Sequence, residues 1–187
     1  MPEQRIYSKR GPCTLQLKKD ILCKSEIHCI ACFQFQTNIS EPRVVKTFIG
    51  HDASLATERD GNGMIPLHLA TLHGKLEAVK AHQSQLSLVK VREARDYGLN
   101  TPLHHACKGG HREVVEYLIE VGCSKNAKNL NKDSLIHVAV QNGHISVTEL
   151  LLDKGVSTES LDAQKCTPLH IAAKSNQTSI IEMLIKQ

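Results

Sequence analysis

An all-α solenoid of stacked helix-turn-helix units, linked by β-hairpin-like loops, is the fold class this sequence predicts. Three observations lead to it. A six-residue stretch returns four times, as IPLHLA at 65–70, TPLHHA at 101–106, SLIHVA at 134–139 and TPLHIA at 167–172. Its histidines, His68, His104, His137 and His170, stand 36, 33 and 33 residues apart. Aliphatic clusters follow at helical spacing, and aromatic residues are only 3% of the chain with no Trp, which suits a core of Leu, Val, Ile and Ala.

The copy at 101–122 shows why each element forms. Thr101 stands at an N-cap, where its hydroxyl satisfies an orphan N–H of the first turn. Pro102 follows at the first helical position, where its missing N–H costs nothing. Leu103 and Ala106 share one face of a short helix. Gly110 ends that helix and permits a reversal. A second helix, 112–121, carries Val114, Val115, Leu118 and Ile119, and Gly122 stops it. A polar hairpin-like segment, CSKNAKNLNKD, leads to the next copy. Thr167-Pro168 repeats the start signal, Gly143 the first turn and Gly155 the second stop. Helices this short are unstable alone, and stacking stabilises them by covering each unit's apolar face with its neighbour.

The pattern resembles the ankyrin repeat family, whose unit is about 33 residues with T-P-L-H-x-A, then G-H and paired leucines. The resemblance covers residues 55–187. It implies that His68, His104, His137 and His170 are scaffold residues that hydrogen-bond backbone, and that His111 and His144 are the G-H histidines. It also implies that partners dock on a concave face, at hairpin tips and exposed first-helix residues. Carried over by position, the hairpin candidates are Asn62, Met64, Tyr97, Leu99, Asn100, Leu130, Asn131, Asp133, Gln164 and Cys166. The helix candidates are Leu72, His73, Lys108, Gln141, Asn142, Lys174 and Ser175. Tyr97 is the best single anchor, because aromatic residues dominate interface energetics. Asn126, in GCSKNAKN, matches an asparagine that asparaginyl hydroxylases modify in some members, beside its bland role as a turn residue.

Along the chain, residues 1–24 form a basic arm with no assigned structure. They hold six cations and two acids, while the other 163 residues balance at 17 against 17. With no aromatic interleaving, the arm reads as solvated, and no nucleic acid is expected as a partner. Residues 25–58 form a degenerate repeat, with RVVKTFI as its second helix. The repeat at 59–95 has Ile65 in place of the capping Thr, Ala81 and His82 where paired leucines belong, and a connector three residues longer. A deformed outer helix and a protruding loop are expected there. Repeats follow at 96–128, where all signature elements are present, and at 129–161, where Ser134 caps instead of Thr. The last, at 162–187, has Asn176-Gln177 for G-H and is incomplete. Ile181, Leu184 and Ile185 are apolar with nothing following, so this end is expected to be covered by further repeats or a partner, the chain being a fragment of a longer array.

No catalytic set is apparent. CIAC at 29–32, with Cys23 and His28 nearby, lacks a second ligand pair, so buried thiols are favoured over a metal or redox site. His105 and Cys107 lie outside the signature and leave a chance ligand pair as the minor alternative. DGNG at 60–63 lacks the Lys-Ser/Thr of a phosphate loop. Glu113, Glu116 and Glu120 sit on exposed turns. No metal or cofactor is expected. No apolar run reaches the ~18 residues needed to span a bilayer, and no secretory signal begins the chain. The expected location is the cytoplasm, with the nucleus as the second compartment. Function is expected to be a non-enzymatic scaffold or adaptor for other proteins. The alternatives are part of the cytoplasmic array of a membrane protein such as a TRP-type channel, or the regulatory part of an enzyme or transcriptional regulator.

Overall fold

The computed structural model describes residues 56–82 and 89–186. The arm at 1–24, nearly all of the degenerate repeat at 25–58 and the Cys23, His28, Cys29 and Cys32 group lie outside the described residues.

Four helix pairs stack in chain order. The first helices are α1 (Pro66–Leu72) and, after α2 (Leu76–Ala81) and the single turn α3 (Val89–Arg92), α4 (Pro102–Gly109). Then come α5 (Arg112–Glu120), α6 (Leu135–Gln141), α7 (Ile145–Asp153), α8 (Pro168–Lys174) and α9 (Thr178–Ile185). α1, α4, α6 and α8 pack one on the next, and α2, α5, α7 and α9 form an outer row behind them. No strand forms among the described residues, and pairing is limited to one antiparallel bridge between Lys128 and Ser134. The fold is therefore an all-helical solenoid.

The start of each first helix except α1 is a Thr/Ser-Pro/Leu-x-His box. Thr101 Oγ1 accepts from the His104 amide at 3.4 Å. The shorter contacts are to the ring, where His104 Nδ1 accepts from the Thr101 amide at 3.2 Å and meets the hydroxyl at 2.9 Å. Ser134 with His137 and Thr167 with His170 repeat this, with hydroxyl-to-Nδ1 distances of 2.7 and 2.8 Å. The imidazole thus takes the part a Glu plays in a capping box. Ile65 has no hydroxyl, yet its amide still donates to His68 Nδ1 at 3.0 Å and its side chain is buried in the core.

The core repeats in register. Val114, Val115 and Leu118 of α5 are buried, as are Val147, Thr148 and Leu151 of α7. In α2 the equivalent trio is Ala78, Val79 and His82. The buried His82 ring donates Nδ1–H to the Ala78 carbonyl at 2.8 Å, and α2 is six residues long where α5 and α7 have nine. A polar ring at a leucine position needs an acceptor, and the nearest is the helix's own backbone. The outer helix expected to be deformed is thus shortened; most of the expected loop, 83–88, lies outside the described residues.

Two left-handed glycines at the first turn of their repeats meet the histidine ring of the next repeat directly. A Cβ on Gly74 would enter the His111 ring, and one on Gly110 would lie 2.5 Å from His144 Nδ1. Gly143, with φ +73°, faces only Gln177 at 3.4 Å, because Gln177 stands where the G-H histidine would be. Gly110→Ala is therefore expected to cost about 2–4 kcal/mol, from left-handed strain plus a displaced histidine hydrogen bond, and Gly143→Ala only about 1–2 kcal/mol. Urea unfolding of the two variants checks the order; equal losses would remove the steric account.

Candidate functional site

The hairpins between repeats build one side of the site. An Asp or Asn eight residues before each signature histidine folds each tip. Asp60 Oδ1 accepts from the Asn62 and Met64 amides at 2.9 and 2.8 Å. Asp96 Oδ1 accepts from the Asn100 amide at 2.7 Å. Asn129 Oδ1 accepts from those of Asn131 and Asp133 at 3.0 and 2.9 Å. Asp162 Oδ1 accepts from those of Gln164 and Cys166, both at 2.8 Å. These turns satisfy backbone donors that an open hairpin would leave unpaired. They force Gly63, Leu99, Lys132 and Lys165 to positive φ, of which only the first is a glycine.

Two ladders lock the tips to one another. The amides of Tyr97, Leu130 and Ala163 donate to the carbonyls of Asn62, Gly98 and Asn131 at 3.1, 2.9 and 2.8 Å. A basic residue one position before each of the first three anchors, Asp60, Asp96 and Asn129, makes the second. Arg59 donates to the Arg95 carbonyl at 2.6 Å, Arg95 to the Lys128 carbonyl at 2.9 Å, and Lys128 to the Leu161 carbonyl at 3.0 Å. Neither the turn-forming acids nor this basic ladder was recognised from sequence. Their constant offsets from the histidine were the available signal.

The other side of the site is the C-terminal ends of the first helices. His73, Lys108, Gln141, Asn142, Lys174 and Ser175 are exposed there, and Leu72 is half-buried. On the hairpins Asn62, Tyr97, Leu99, Leu130, Asn131 and Gln164 are exposed, with Met64, Asn100, Asp133 and Cys166 half-buried behind them. A cavity of about 400 Å³ lies between the two sides. Asn131, Asp133, Gln141, Gln164, Cys166, Lys174 and Ser175 line it, together with Asp162, Ala163, His170 and Ile171. Leu130, Asn142 and the candidates of the earlier repeats lie outside it. Asn126 is exposed in the turn after α5, also away from it.

The signature histidines join repeats. His68 Nε2–H donates to the Ala94 and Asn100 carbonyls, both at 3.1 Å, and His137 Nε2–H donates to the Cys166 carbonyl at 3.1 Å. Since Nδ1 accepts the cap amide, the proton sits on Nε2. Burial holds His68 and His104 at pKa values of about 4. The Asp133 carbonyl lies outside hydrogen-bond geometry of His104 Nε2 but still opposes that shift. His111 and His144 donate Nε2–H backwards, to the Leu72 and Lys108 carbonyls at 2.9 and 2.8 Å. His170 differs, being exposed where His68, His104 and His137 are buried.

His105 is held by charge. Its Nε2–H meets Asp96 Oδ2 at 2.9 Å with both side chains buried, and its ring lies edge-on to His68 at 5.2 Å. Burial lowers the His105 pKa, against the pull of Asp96. Burial also opposes ionisation of Asp96, but hydrogen bonds from His105 and Asn100 bring its carboxyl below the ordinary range. The pair is therefore a neutral imidazole on a carboxylate. Cys107 is fully buried with its thiol pushed far up by burial, and Cys123 is pushed up to about 12. Among the described residues no group of three or more His, Cys, Asp and Glu could hold a metal ion. No described helix is long and apolar enough to cross a membrane.

Stacked helix pairs with a hydrogen-bonded hairpin rim and a groove behind it define a helical repeat protein. The family model for ankyrin repeats (3 copies) matches residues 29–129 and 125–187. The chain belongs to the ankyrin repeat family. It is similar to human protein phosphatase 1 regulatory subunit 27, at 36% identity over 80 residues, 43% of this chain and 49% of that protein. It is also similar to chicken NF-kappa-B inhibitor alpha, at 29% identity over 111 residues, 52% of this chain and 35% of that one. A third relative is the human transient receptor potential cation channel subfamily A member 1, at 37% over 65 residues, 35% of this chain and 6% of the channel. The matches span about half or less of each of these relatives.

The buried histidines set the acid response. A histidine at about 4 in the folded chain and 6.5 unfolded favours folding fully above pH 6.5, and this is lost as pH falls from 6.5 towards 4. Between pH 7 and 5, His68 and His104 are each expected to remove about 2 kcal/mol of stability. Urea midpoints at the two pH values test this, and an unchanged midpoint would contradict it.

Proposed function

We propose that this chain is a non-catalytic binding module that holds partner proteins in the groove between its hairpin tips and the ends of its first helices. The observation that carries the reading is the cavity of about 400 Å³ behind the third and fourth hairpins. Two adjacent repeats bring polar groups of both charge signs to it, from Asp133 and Asp162 to Lys174, on backbone held rigid by the tip ladder. A preorganised surface loses little freedom when a partner docks. The histidines and cysteines that would serve chemistry are engaged otherwise. His68 and His137 are bonded to backbone, His105 is held on Asp96, and the Cys107 thiol is buried.

Two relatives are named for regulation, one as a phosphatase regulatory subunit and one as an inhibitor. That favours a regulatory adaptor, acting in the cytosol or nucleus, over a piece of a channel's array, for which the likeness covers 6% of the channel. The end face of the fourth repeat belongs to the same reading. Leu169 and His170 are exposed there, whereas Leu103, His104, Ile136 and His137 are buried against a following repeat. A further repeat or a partner covers them. The exposure of Asn126 supports its hydroxylation.

The test is an affinity pull-down with mass spectrometry, comparing the wild type with Lys108→Glu/Gln141→Ala/Lys174→Glu. A defined partner protein retained by the wild type and lost by the variant is expected. The same proteins on both baits, with both folded by circular dichroism, would reject the groove.

A further inference from the structure

The hairpin row carries an apolar stripe that costs the fold something to display. Tyr97 and Leu130 are 70% and 64% exposed, and Leu99 is 38% exposed. They come from adjacent hairpins tied by the Leu130 amide on the Gly98 carbonyl. Leu99 holds φ at +57°, where a branched hydrophobic residue is unfavourable and glycine would sit without strain. The equivalent position one repeat earlier is in fact Gly63. A residue both strained and partly exposed contributes little to the stability of its own hairpin, so another role has to account for it. Tyr97 is also oriented. Its ring covers the buried Gly63, where a Cβ would lie 2.6 Å from Tyr97 Cδ1. The stripe is thus presented in one arrangement before any partner arrives.

The charges around it are sorted by side. On the four hairpin segments, 59–64, 95–100, 128–133 and 161–166, every exposed charge is positive: Arg59, Arg95, Lys128, Lys132 and Lys165. The acids Asp60, Asp96, Asp133 and Asp162 are half-buried or buried, and each accepts a hydrogen bond within its own hairpin. Formal charge on these segments is nearly balanced, but the outward layer is cationic around an apolar centre. We infer that the hairpin rim, centred on Tyr97, Leu99 and Leu130, docks an acidic extended segment of a partner protein that carries a large apolar anchor. This rests on the reading of the hairpin side as the binding face, and it names the partner's chemistry. The apolar stripe supplies the anchor site, and the cations steer the approach and select against basic segments.

A phage-displayed library of random dodecapeptides, selected on the whole chain, tests it. The expected result is a consensus with one aromatic or large aliphatic residue flanked by Asp or Glu. A synthetic peptide of that consensus, followed by fluorescence anisotropy, should bind about tenfold more weakly to Leu99→Gly and to Tyr97→Ser. Its affinity should fall as salt is raised. Leu99→Gly should melt no lower than the wild type, which separates lost binding from lost folding; Tyr97→Ser is the second variant should it not. A neutral or basic consensus, no consensus, or full binding to both rim variants overturns the inference. Peptides lost only with Lys108→Glu/Gln141→Ala/Lys174→Glu overturn it too, while leaving the groove reading of the preceding section intact.

Discussion

A signature imidazole joins the first repeat to the second and the third to the fourth. On one side it accepts its own cap amide, as His68 does from Ile65 at 3.0 Å. On the other it donates to a carbonyl of the following hairpin, as His137 does to Cys166 at 3.1 Å. One ring therefore satisfies a helix N-terminus and a loop carbonyl together, two groups that stacking would otherwise bury without partners. The arrangement requires the uncharged ring, which burial supplies at His68.

A second set of histidines runs the other way. His111 and His144 reach back to the first helix of the preceding repeat, and the glycines at 74 and 110 exist to let those rings in. At the first interface the joint is thus made from both sides, by His68 and His111; of these histidines only His144 bonds across at the second, and only His137 at the third. Where the histidine becomes Gln177, the glycine opposite loses its steric reason but keeps its left-handed backbone. The hairpin ladders then extend this order outward. Because each tip is bonded to its neighbour, the residues that face solvent there are held by backbone, and variation in them leaves the frame unchanged.

The fourth repeat shows what a neighbour contributes. Its helix pair forms and Thr167 meets His170 as in the other copies. Leu184 is buried, contrary to the expectation that it lies open with Ile185, because α9 packs it inward against α7 and α8. Ile185 stays exposed, as do Leu169 and His170. The box and the inner core are local properties of a repeat; burial of the signature histidine is a property of the pair.

Sequence alone determined the helix pairs and the positions of their caps. Pro, Gly and the periodic aliphatic residues act within one or two turns, so their effect is legible from spacing. The repeat of four copies also made the signature histidines readable as frame. Asp60, Asp96, Asn129 and Asp162 bond amides two to four residues on, and their constant offset before the signature histidine was the sequence signal for them. The roles of Arg59, Arg95 and Lys128 depended on tertiary structure, because the partner of each is a carbonyl 33 or 36 residues away. His105 on Asp96 and His82 in a leucine slot are of the same kind, since whether a histidine is buried, and on what, is set by elements remote in the chain. The groove follows the same division. Sequence named the positions that could line it, and only the stacking of one hairpin on the next decided that those of the third and fourth repeats enclose a cavity.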